Sequence, residues 1–152
     1  MDVKRAVAAG VTGTAVMTVL LLWAPLVGLP KLAIGELLST FLAVSVAVFR
    51  VGPAGGWVIH GLVGIALALL YAGIFTNLLP GGPVARGVLY GFLIFLVAQL
   101  VFMPAVGAGV FSRGDISMIL GSLIGHLVYG GLVGGIYGEP RPAHLAATHA
   151  ST

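Results

Sequence analysis

The chain has 152 residues, 59% hydrophobic and 7% charged, with a formal net charge of +3 and no cysteine. A soluble domain carries about 25% charged residues, so this composition cannot assemble a water-facing surface, and with a mean hydropathy of +1.16 lipid is the solvent for most of the chain. Without cysteine there is no disulfide, thiolate metal site or iron–sulfur cluster, and no basic or aromatic–basic cluster points to nucleic acid.

Met1 to Arg5 is a short charged head. Ala6 to Leu29 then runs without a charge, long enough to cross a hydrocarbon layer of about 30 Å at about 1.5 Å per residue. A cleaved signal peptide is the competing reading, against which the run is long and lacks a small-x-small cleavage site. Pro25 and Pro30 bend or end this helix. Leu32 to Phe49 is apolar but contains Glu36, Ser39, Thr40 and Ser45 and is bounded by Lys31 and Arg50. Counted from Glu36 it reaches only roughly 21 Å, which favours a short interfacial or re-entrant helix near 36–49 over a full crossing. Trp57 to Leu79, Val84 to Val106 and Ile116 to Tyr137 are further spans, separated by the Pro80-Gly81-Gly82-Pro83 turn and a Gly107–Gly114 loop. Asp115 opens the last one, where an acid suits the positive end of a helix. The tail, residues 141–152, reads as disordered.

Two motifs recur. Pro25-x2-Gly28-x6-Gly35-Glu36 returns as Pro104-x2-Gly107-x6-Gly114-Asp115, and His60-x3-Gly64-x6-Tyr71 returns as His126-x3-Gly130-x6-Tyr137. The expected architecture is therefore an all-α, polytopic transmembrane bundle in one membrane domain. Its four spans form two tandem parallel hairpin repeats, a first half at 4–79 and a second at 84–140. Both termini then lie on one side. Lys4, Arg5, Arg86 and Arg141 on that side, against Lys31, Arg50 and Arg113 on the other, favour cytoplasmic termini in a plasma or inner membrane.

Each histidine sits in a file of small residues at four-residue spacing: Gly56, His60, Gly64, Ala68, Ala72 in one helix and Ser122, His126, Gly130, Gly134, Gly138 in the other. Such bare faces let backbones approach and mark helix–helix seams in lipid, so the two halves are expected to meet through them. His60, His126, Glu36 and Asp115 are the candidate polar or ligand site, because ionisable groups in a membrane cost several kcal/mol unless paired. Three readings stand. The histidines hydrogen-bond across a close seam, and the chain is a non-enzymatic accessory or structural component, a homo-oligomer or part of a larger membrane complex. Alternatively, His60, His126, Glu36 and Asp115 form a proton relay or transport path. Alternatively, His60 and His126 hold haem b iron; this requires helix axes roughly 14 Å apart, whereas small faces pack at about 8 Å. No other cofactor or metal is expected. No HExxH, Walker loop or dinucleotide-binding pattern marks an enzyme.

Gly10-x2-Gly13-Thr14-x2-Met17-Thr18, the Pro-x2-Gly helix ends and Gly125-His126-Leu127-Val128-Tyr129-Gly130 resemble a group of small, uncharacterised prokaryotic four-helix membrane proteins of the domain-of-unknown-function type. The resemblance covers nearly the whole chain. It implies an accessory place beside membrane enzymes, respiratory ones among them, and transfers no catalytic residue.

Overall fold

The computed structural model describes residues 1–46 and 51–139; the expected tail and the end of the 36–49 helix lie outside that range. Four helices are long and apolar enough to cross a membrane. Helix α1 (Val3–Trp23) is prolonged by a 3₁₀ turn, Ala24–Val27. Helix α2 (Ile34–Val46) is the short one. Helix α3 is Gly52–Leu78, α4 is Pro83–Ala105 and α5 is Ile116–Tyr137.

The two prolines inside apolar runs are accommodated differently. A proline removes one backbone N–H and pushes its ring at the carbonyl four residues back. At Pro25 the helix tightens into the 3₁₀ turn. Before Pro104 it widens into a π-helical turn over Ala98–Phe102. Both helices then end alike. Leu29 N donates to Ala24 O (3.0 Å) and Gly28 N to Pro25 O (3.3 Å); Ala108 N donates to Met103 O and Gly107 N to Pro104 O, both 2.9 Å. Gly28 and Gly107 each have φ of +82°, the left-handed C′ position of this helix end, which a glycine occupies without steric cost.

Helix α1 packs against both α3 and α5, and α4 packs along α5. Helices α3 and α5 therefore stand diagonally across the bundle. Helices α3 and α4 converge near Leu67–Leu78, where the ring of Tyr90 lies 5.3 Å from Tyr71 and 4.9 Å from Phe75. Towards their other ends α2 packs on α3 and reaches α4 through Phe41, whose ring lies 5.0 Å from Phe102. The start of α1 meets the end of α5: Asp2 N donates to the Tyr137 hydroxyl (3.3 Å), and the Arg5 guanidinium lies over the Tyr137 ring. These two ends therefore share a side, as an even number of crossings requires. Arg86 and Glu139 form an ion pair there at 2.9 Å.

Helix α5 starts on a side-chain cap. Met118 N and Ser117 Oγ donate to Asp115 Oδ1 at 3.1 and 2.7 Å. These bonds, that of Ser117 first, hold the exposed carboxyl below its ordinary pKa. A depressed carboxyl pKa stabilises the fold above the unfolded value, about 4, and that contribution is lost as pH falls through the folded value. Hydrogen exchange at the Met118 amide is therefore expected to accelerate on acidification beyond its intrinsic pH dependence. In Asp115→Asn, which caps without titrating, this extra acceleration is absent.

Candidate functional site

All four tyrosines of the chain are buried in the bundle, between 0% and 4% exposed. In hydrocarbon an unmatched hydroxyl is costly, and each of these is matched on another segment. Tyr129 donates to Gly64 O at 2.5 Å, crossing the diagonal from α5 to α3. Tyr90 donates to Leu67 O at 2.8 Å and Tyr71 to Pro83 O at 3.4 Å, while Tyr137 accepts from Asp2 N. A helical carbonyl has a second lone pair, so these bonds tie helices together without breaking the helical ladder. Tyr71 and Tyr137 sit edge-to-face at 6.1 Å. They are interior cross-links.

The histidines lie one turn from the Tyr129–Gly64 bond, His126 on α5 and His60 on α3. His126 Nδ1 lies 2.7 Å from Ser122 O; because a carbonyl only accepts, Nδ1 carries the proton. Its ring lies 6.1 Å from that of Phe95. His60 stands 5.7 Å from Trp57, edge-on, and its Nε2 is buried without a hydrogen-bond partner. Glu36 and Asp115 are the other two candidates. Both are exposed, Glu36 in the first turn of α2 and Asp115 as the cap of α5. Among the described residues no three His, Asp or Glu side chains converge as a metal site.

The small files pack, but not on one another. Gly64 is pressed against Thr14 of α1, and Ala68 meets Gly10 of α1. Gly56 is pressed against Gly35 of α2, and Ala72 is buried. Gly130 and Gly134 lie against the α4 backbone at Gly87, with Gly91 also touching Gly130. Ser122 serves His126, and Gly138 ends α5 beside Arg5. The expectation that the halves meet through their bare faces is thereby corrected. A file of four-residue steps drifts roughly 40° per step round a 3.6-residue helix. It therefore serves one neighbour at one end and another at the other.

This packing bears on haem. The porphyrin would have to lie between His60 and His126. Phe95 packs on His126, and Met17 lies against Gly125, a Cβ there meeting its methyl at 3.2 Å. Tyr129 crosses one turn away. A porphyrin there would have to displace these side chains.

Three further features stand out. Gln99, inside the π-helical turn of α4, is 1% exposed and accepts from Ser112 Oγ at 3.2 Å. Phe111, Ser112 and Arg113 all have positive φ (44°, 50°, 55°). A left-handed conformation costs a non-glycine residue about 1–2 kcal/mol. The Ser112–Gln99 bond, the Phe95–Phe111 contact and the Arg113 bond to Gly107 O offset part of it. Lastly, a groove of about 390 Å³ runs between α1 and α3 and includes Thr14, Trp57, His60 and Gly61.

Four apolar spans, cross-linked by buried tyrosines and closed by glycine seams, define a polytopic α-helical membrane protein. The chain belongs to the family described as "Family of unknown function (DUF6789)", whose model matches residues 1–146. Searches of the curated proteins and of the solved structures found no match.

Proposed function

We propose that this protein is a non-enzymatic component of a larger membrane assembly, docked through the outer face of its α4–α5 hairpin. One observation carries this reading. The inner glycines of α5 are consumed by α4, yet a second pair, Gly131 and Gly135, lies on the outer side. With Val84, Val88, Leu132 and Ile136 this pair lines an apolar groove of about 660 Å³. Glycines four residues apart on a lipid-facing surface suit close approach of another transmembrane helix. The chain then sits in a plasma or inner membrane with cytoplasmic termini. We further infer a tandem duplication. Gly10 sits against Gly64 and Ala68 as Gly87 sits against Gly130 and Gly134, and the two Pro-x2-Gly ends share their hydrogen bonds.

The test is the size of the protein extracted in mild detergent and run on a native gel. Wild type is expected in a band larger than one chain, its mass telling a second copy from another subunit. Gly131→Leu/Gly135→Leu is expected to collapse that band to the single chain with unchanged helicity. A single-chain wild type, or a large band that survives the double variant, overturns the proposal. Histidine-dependent proton flux in proteoliposomes would replace it with the relay.

A further inference from the structure

The bundle is tied unevenly along its length. Towards the termini, Tyr71, Tyr90 and Tyr137 cross-link the segments they touch. Towards the other side, the link between α3 and α4 passes through the short helix α2. At its first turn α2 is seated on α3. A Cβ on Gly35 would lie 2.6 Å from Pro53 O and 3.1 Å from the Trp57 ring, and a Cβ on Gly56 would meet the Gly35 backbone. Nearly two turns later α2 touches α4 through the Phe41 and Phe102 rings, 5.0 Å apart. We propose that α2 is a lid that admits water to the bundle from the side of the membrane opposite the termini. It pivots on the Gly35–Gly56 seat, and the Phe41–Phe102 contact is its latch.

Four observations support this. At 13 residues α2 does not cross the membrane, so it swings without dragging a span. Its contact with α4 is made by side chains, without the backbone approach that joins α4 to α5 at Gly87 and Gly130, and so is the weaker of the two. Closure also leaves polar atoms unmatched. Ser39 on α2 is 0% exposed with no partner for its Oγ, and His60 Nε2, beside the Trp57 ring on which Gly35 sits, is buried and unmatched too. Such atoms penalise the closed form, and water entering on opening relieves them, which narrows the gap between the two states. Finally, the wall beside the latch is polar: Gln99, one turn before Phe102 on α4, is buried and bonded to Ser112. Entering water meets hydrogen-bonding groups there.

The chain has no cysteine, so introduced thiols report alone. Ser39→Cys on the lid and Met103→Cys on α4, a buried position next to Phe102, are made singly. Val133→Cys, at a fully buried position of α5 among the tyrosines, is the control. Each protein is placed in nanodiscs, checked for unchanged helicity by circular dichroism, and treated with a water-soluble methanethiosulfonate. Either lid-side thiol suffices if the other variant misfolds. The lid-side thiols are expected to react slowly and Val133→Cys not at all. Phe41→Ala, which releases the latch, should speed the lid-side reactions by about tenfold and leave Val133→Cys unreactive. Lid-side thiols that stay unreactive, that react equally fast with and without Phe41, or that Val133→Cys matches in rate overturn the proposal.

Discussion

Gly130→Ala is expected to destabilise the bundle by about 3 kcal/mol or more, a large cost for one methyl group. A Cβ on Gly130 would stand 2.7 Å from the backbone N and Cα of Gly91 and closer still to the carbonyl of Gly87. Those atoms are backbone of a neighbouring helix, with no rotamer to yield. The helices must part, and close packing is what holds helices together in lipid, where the hydrophobic effect between them vanishes. Gly121 is the control in the same helix. A Cβ there meets nothing, so Gly121→Ala should be neutral or gain about 0.5–1 kcal/mol from the better helix former. Thermal unfolding in detergent, followed by loss of helical circular dichroism, ranks the two. Equal midpoints would show that the α4–α5 seam is not a close contact.

Substitution of Tyr129 should separate ring from hydroxyl. Tyr129→Ala removes a side chain that fills the space beside Gly13, where a Cβ would meet its ring at 3.0 Å. Cavity formation of this kind costs about 3–5 kcal/mol. Tyr129→Phe keeps the ring and deletes only the bond to Gly64 O. That carbonyl retains its helical partner, so the expected loss is about 0.5–1.5 kcal/mol. Reversible unfolding in mixed micelles of increasing SDS fraction gives both values. A Phe variant as damaged as the Ala variant would make the hydroxyl the main tie across the diagonal.

Much of this was written in the chain itself. Uninterrupted apolar runs fix the spans, because hydrocarbon tolerates only backbone that bonds to itself and helices do so locally. Pro25 and Pro104 with Gly28 and Gly107 fix two helix ends, since a missing N–H and a left-handed φ are single-residue properties. Asp115 announced its cap for the same local reason. What each bare face would touch was not legible. The Gly64 file gave no sign that α1, and not the second histidine helix, would fill it, because a glycine records that something comes close and not what. Tyr90 and Tyr129 read as ordinary apolar-run residues, yet they became the cross-links of the core. Their partners, Leu67 O and Gly64 O, are backbone carbonyls, which every residue possesses and no sequence distinguishes. The groove beside His60 belongs to the same class. Thr14 and His60 lie in different helices and line one groove because Gly10 and Gly64 let α1 and α3 close on each other.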